Sequence, residues 1–223
     1  MAIPKNLRNL ALCLLAPLAF LLLSNCTIVK NGASATSAAK NAPLTSDESF
    51  DARVYVAANW AGKIVPDIEG RAVDLKEVVA ALSKNSDAAD KKYGHRQEDA
   101  APFNFVVKCT AAVKTVNVES GAGYLELNLP DATGSASVRV QVGPVFIGSA
   151  VRDSLSFIKF GDFVNQIDFA NFSREINFYV RDHVSPGIRT SDITGKKLSL
   201  VGAFTEDSNG AVVITPVEIR LEK

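Results

Sequence analysis

Residues 138–180 read VRVQVGPVFIGSAVRDSLSFIKFGDFVNQIDFANFSREINFYV, and the fold turns on them. Val138, Val140 and Val142 alternate with Arg139 and Gln141, the period-two pattern of a half-buried strand. Gly143-Pro144 then turns the chain, and Val145 to Ile147 forms a second short apolar turn. A Phe-rich helix of roughly twenty residues follows, completed by Arg181 to Val184. Phe163, Ile167 and Ala170 fall on one side of it, and Phe169, Phe172, Ile176 and Val180 on a neighbouring side. So wide an apolar face implies packing against two bodies at once.

Outward from this stretch, strand signals lie on both sides. Before it, Phe103, Phe105, Val107, Cys109, Ala111 and Val113 alternate with Asn104, Lys108, Thr110 and Lys114. Leu125, Leu127 and Leu129 then alternate with Glu126 and Asn128. Turns at Gly121–Gly123 and Pro130–Gly134 join these runs into an antiparallel meander. After it, Leu198, Leu200 and Phe204 alternate, with Gly202 a candidate bulge, and Val212 to Leu221 forms a last strand. Pro216 donates no hydrogen bond, so that point belongs at an edge or a bulge. Three strands, a helix and two strands is the order of an OB-like, five-stranded antiparallel barrel over residues 102–223, with the helix plugging one end. The fold class is therefore α+β, mostly β.

Residues 47–101 read as N-terminal helices and a loop packed on that barrel. Asp47 to Ala61 is expected to be helical, capped by Ser46 or Asp47, with Phe50, Val54, Ala57 and Ala58 on one face. Ile64-Val65-Pro66 breaks it, and a second helix runs from Val73 to Ser83 with Leu75, Val78, Val79 and Leu82 at helical spacing. Lys84 to Ala101 is polar and reads as a long loop, of the kind that often carries function.

The first 25 residues are set aside as a lipoprotein signal peptide. Lys5 and Arg8 precede an apolar run, Leu10 to Leu23, too short for the ~20 residues of a membrane span. Leu23-Ser24-Asn25-Cys26 looks like a bacterial lipobox, with Asn25 where Gly or Ala is usual and Cys26 as the lipidated residue. Residues 26–46, rich in Ser, Ala, Thr, Asn and Gly, read as a flexible tether with a reach of ~25 Å. The anchor makes the membrane a partner and puts the chain on the periplasmic side of the cell envelope. Without Lys5 and Arg8 the mature chain carries 22 basic and 24 acidic residues. That balance, and strands without stacking aromatics, argue against a nucleic-acid partner. Cys109 is left alone and core-facing, so neither a disulfide framework nor a Cys-based zinc site is open to it.

Chemistry-bearing motifs are sparse: no HExxH, GxSxG, phosphate-binding glycine loop or CxxC. Neither a cofactor nor a metal is expected, and no residue is assigned a catalytic role. His95 lies in Tyr93-Gly94-His95-Arg96, beside Glu98 and Asp99, and would need partners from elsewhere to act as a ligand or an acid–base group. His183, near the end of the long helix, suits the helix dipole. Arg152, Asp153, Asp162, Asn165 and Gln166 lie among Phe146, Phe157, Phe160 and Phe163. They either converge on a sugar or carboxylate, or they tie a turn and cap a helix; a polar network that fixes the chain's path has the same sequence signature. The candidate binding residues are thus Tyr93, His95, Arg96, Arg152, Asp153, Asp162, Asn165 and Gln166.

Several segments resemble a family of predicted bacterial periplasmic lipoproteins containing a domain of unknown function. They are Cys26-Thr27-Ile28-Val29-Lys30, Phe50-Asp51 through Trp60, Arg71 to Leu75, Tyr93 to Arg96, Gly143-Pro144-Val145, Ala150 to Asp153, Phe160 to Ile167, Gly202-Ala203-Phe204 and Ile214 to Val217. The resemblance implies an OB-like, lipid-anchored accessory or binding protein. Genes of that family often sit beside those of sugar ABC transporters, so the implied partner is a transporter component or a small solute. Two alternatives stay open: a scaffolding or assembly lipoprotein with protein partners only, and a hydrolase or transferase using His95.

Overall fold

The computed structural model describes residues 50–129, 137–189, 192–207 and 210–222. The signal peptide, Cys26 and the tether lie outside the described residues.

A closed five-stranded barrel organises the chain. Its longest strand, β3 (Asn104–Asn117), changes partner midway. Residues Asn104 to Ala112 pair with β6 (Lys197–Thr205), and Ala112 to Asn117 pair with β4 (Tyr124–Asn128). β4 pairs with β5 (Val138–Gln141), and β7 (Val212–Leu221) lies between β5 and β6 to close the ring. Every seam is antiparallel except β5–β7, which is parallel. Two short strands, β1 (Val73–Asp74) and β2 (Gly94–His95), add to the β3 edge.

The expected alternation fills the barrel: Phe105, Val107, Cys109, Ala111, Val113, Leu125, Leu127, Val138, Val140, Val142, Leu198, Leu200 and Phe204 point inward. Phe105 stacks on Phe204 with ring centroids 5.1 Å apart. The bulge lies on β7, opposite Val201 and Gly202, where the register slips past Val217. Gly202 is required there because a Cβ would come within 2.5 Å of the Thr215 carbonyl.

The N-terminal helices depart from expectation. α1 (Ala52–Asn59) is capped by Asp51, which accepts from the Val54 amide at 3.1 Å. It buries Ala52, Val56 and Trp60, while Val54 is 55% exposed and Ala57 and Ala58 face solvent. Pro66 does not break the helix. A π turn, Trp60–Ile64, leads directly into α2 (Val65–Arg71), with Pro66 in the first turn of the new segment. There its missing N–H falls where the wider turn has shifted the hydrogen-bond frame. α3 (Leu75–Lys84) is capped by Asp74 and sends Leu75, Val78 and Val79 into the barrel core. Part of the expected loop is a further helix, α4 (Ser86–Tyr93), capped by Asn85.

The segment after β5 holds the expected long helix and, before it, short elements that were not expected. It contains α5 (Ala150–Ser154), a 3-10 turn at Phe160–Asp162, and α6 (Gln166–Tyr179), which runs on through a π turn, Val180–Val184. α6 does not plug the barrel. Its Phe172, Ile176 and Val180 pack with Val56, Trp60 and Ile68 on the barrel's outer face, against Val106, Ala203 and Val217. Those strand residues are apolar on the outward side, so the outer wall is itself a packing surface. Ile167 and Ala170, expected in the apolar face, are exposed instead. Ile188, on α7 (Pro186–Arg189), and Ile193 join the barrel core from this side of the chain.

Candidate functional site

The expected site residues fall into two groups in space. His95, Arg152 and Asp153 come together at a junction of α2, β2 and α5, with Asp67 and Arg71 that the sequence did not single out. Each nitrogen of the Arg152 guanidinium donates within the protein. Nε and Nη2 reach the Asp153 carboxylate at 2.7 and 3.0 Å, and Nη1 reaches the Phe169 carbonyl at 3.2 Å. The guanidinium lies 3.6 Å from the Phe169 ring centroid. Asp153 also accepts from the Ser149 hydroxyl at 2.6 Å, and its carbonyl accepts from Gln97 at 3.3 Å. Arg71 donates to Asp67 at 2.6 Å and to the Ser154 carbonyl at 2.5 Å.

The electrostatics follow from these contacts. Burial raises the Asp67 carboxyl, but hydrogen bonds from the Ser156 hydroxyl and amide, together with Arg71, outweigh it and hold Asp67 below the usual carboxylate range. Half-buried His95 is held below the ordinary imidazole range by burial and by Arg71, against the opposing pull of Asp67 and Asp153. The junction therefore sets an imidazole of lowered basicity beside satisfied ion pairs. Among the described residues, no group of three or more His, Cys, Asp or Glu is placed to hold a metal ion. Cys109 faces the core as expected, and burial and Asp74 push its thiol up to about 12.

The other expected residues lie apart. Tyr93 donates to Glu77 at 2.6 Å, and Arg96 pairs with Asp99 and lies over the Phe103 ring at 4.8 Å. Asp162, expected to cap the long helix, accepts from the Lys159 amide at 2.8 Å and closes the 3-10 turn. Asn165 is the cap: its side chain accepts from the Ile167 and Asp168 amides at 2.8 and 2.9 Å. Gln166 is exposed. His183 lies beside Tyr179, their rings 4.4 Å apart.

An open cleft of about 360 Å3 lies elsewhere, between the Pro144–Gly148 loop and α6. Pro144, Val145 and Phe146 form one wall; Ala170, Ser173, Arg174, Asn177, Phe178 and Arg181 form the other. The loop is pinned from both sides. Buried Gln141 donates to the Ile147 carbonyl at 3.0 Å and accepts from its amide at 2.7 Å, while bonding Thr215 at 2.8 Å. From α6, Asn177 donates to the Gly148 carbonyl at 3.0 Å and Ser173 does so at 3.4 Å. Gly143 has φ +76°, and a Cβ there would meet the Phe146 ring at 2.6 Å. Held in this way, the loop leaves Val145 and Ile147 exposed, and Phe178 is exposed across the cleft. Arg181 pairs with Asp182 at 2.6 Å and lies over the Phe178 ring at 4.6 Å; Arg174 makes a long contact, 3.7 Å, to Glu175. The cleft thus joins exposed apolar side chains to two guanidinium groups. In the sequence Gln141 falls on the polar side of its strand, a pattern that does not reveal its part in building this loop.

With the geometry in place, the chain can be set beside known proteins. A family model described as "Predicted periplasmic lipoprotein (DUF2291)" matches residues 16–220. Among solved structures, an OB-fold protein from Thermotoga maritima superposes with a TM-score of 0.64 at 15% identity. The alignment covers 78% of this chain and 100% of that one. At that identity the likeness shows the fold, an α+β architecture with an OB-type barrel. No curated protein matches the chain.

Proposed function

The chain belongs to the DUF2291 family of predicted periplasmic lipoproteins, and on that premise we propose that it is an accessory protein that binds a partner in the cell envelope without catalysing a reaction. The observation that carries this reading is the cleft between the Pro144–Gly148 loop and α6. It offers a preformed surface with exposed apolar side chains and two cations, the mixture common at protein-binding surfaces. The charged groups best placed for chemistry are instead bonded to one another at the α2–β2–α5 junction. Arg174 and Arg181 favour an acidic, partly apolar segment, and the partner we assign is a component of a sugar ABC transporter. A small sugar acid is the second reading, favoured by the polar groups of Ser173, Asn177 and Arg174 in the same cleft.

A thermal-shift screen against sugars and sugar acids separates the two readings. A ligand at a hundred times its Kd stabilises by ~2.7 kcal/mol, a shift of several degrees for a chain of this size. A shift abolished by Arg174→Glu supports the solute reading. A flat screen, with a cross-link from Val145 to a transporter component, supports the protein partner. A shift that survives Arg174→Glu and Arg181→Glu would show that the ligand binds outside the cleft.

A further inference from the structure

Four aromatic rings run in a chain from the first described residue to an exposed edge. Phe50 meets Phe163 at 5.4 Å, Phe163 meets Phe169 at 5.1 Å, and Phe169 meets Phe160 at 5.3 Å. At the far end the side chains turn outward: Phe160 is exposed, Val164 is 68% exposed and Ile167 is 65% exposed. Three large apolar side chains in eight residues are therefore left in water on one edge, backed by a packed aromatic wall. The edge is firmly built, since Asp162 closes the turn before it and Asn165 caps the helix after it.

The same wall marks where the chain arrives from its anchor. Twenty-three residues separate Cys26 from Phe50, a span of at most roughly 80 Å. The described chain thus begins, at Phe50, on the same wall that carries the exposed edge. A lipid-anchored protein meets its membrane at high effective concentration, so even a weak surface contact is populated. We propose that Phe160, Val164 and Ile167 form a membrane-contact edge that inserts shallowly into the bilayer carrying the anchor. This seats the folded part on the surface in one orientation, with the outward apolar residues in the headgroup–acyl boundary. The bilayer is the occupant of this edge; a second copy of the chain is its competitor.

The test uses the full lipidated protein in vesicles of phosphatidylethanolamine and phosphatidylglycerol. An environment-sensitive fluorophore is attached through Val164→Cys or, as a control on the barrel, through Val213→Cys. Both positions are exposed, and Cys109 is buried and unreactive. The expected result is that spin-labelled lipids quench about half or more of the Val164 probe's emission and spare the Val213 probe. A blue shift at Val164 that depends on protein concentration and resists lipid quenching would show that a second copy covers the edge, and would overturn the proposal. Equal quenching at both positions, or quenching at neither, would overturn it as well.

Discussion

Arg152→Ala removes the guanidinium that ties α5 to α6 at the polar junction. The side chains of Arg152 and Asp153 are 12% and 17% exposed, so the pair is largely withdrawn from water. Truncation loses a two-point ion pair, a hydrogen bond to the Phe169 carbonyl and a guanidinium–ring contact with Phe169. Breaking one partner of a buried pair costs about 3–5 kcal/mol. Asp153 keeps the Ser149 hydroxyl and some access to water, which brings the expected loss to about 3 kcal/mol. For a domain of this size that lowers Tm by about 6–12 °C. Urea denaturation should show a reduced midpoint at unchanged m, because the surface exposed on unfolding hardly changes. The double variant with Asp153→Ala should recover part of the loss, since the second substitution removes the stranded carboxylate. A Tm within about 1 °C of wild type would refute the reasoning, because the guanidinium would then not be holding the two helices together.

Gly202→Ala forces a Cβ to within 2.5 Å of the Thr215 carbonyl and 2.7 Å of Ile214, and should cost about 3 kcal/mol in chemical denaturation. Asp90 is buried, and burial together with Glu206 and Asp87 raises its pKa. A raised carboxyl contributes stability that is present below the unfolded pKa and lost as pH rises through the folded one. Asp90→Asn should therefore be more stable than wild type at neutral pH, with the two melting curves converging as pH falls toward about 4. His95 behaves oppositely: held low by burial and Arg71, it binds its proton less readily folded than unfolded, so wild-type stability declines as pH falls below about 6.5. His95→Gln should lessen that decline, and the NMR titration of the His95 ring should fall below the unfolded value.

The barrel was legible because its strands carry a clean two-residue period, and inward Phe105, Leu125, Val140 and Leu200 are read directly from it. α4 was not legible, because SDAADKKY offers Ala89 and a buried acid, Asp90, where helical periodicity expects large apolar residues. The break expected at Pro66 did not occur because a π turn, invisible to propensity, precedes it. The long helix was recognised, but its seat was not. An apolar helix serves equally well as a plug or as cladding, and only the apolar outward residues Val106, Ala203 and Val217 decide between them. His95, Arg152 and Asp153 were each singled out in the sequence, but His95 not as a neighbour of the other two. Asp67 and Arg71 joined it through helix packing that no local pattern encodes. The cleft depends on Gln141 reaching Ile147 and Thr215, the latter 74 residues away in sequence, so its walls could not be assembled from neighbours in the chain.

The cleft beside the Pro144–Gly148 loop is the surface proposed to bind the partner of this envelope protein. Its most direct test is site-specific photo-cross-linking from position 145 in living cells, with position 213 on the barrel as the control. The expected result is an adduct with a sugar ABC transporter component that forms from position 145, is absent from 213, and is lost when Arg174 and Arg181 are both replaced by Glu. The same adduct from both positions, or one indifferent to the charge reversal, would contradict it.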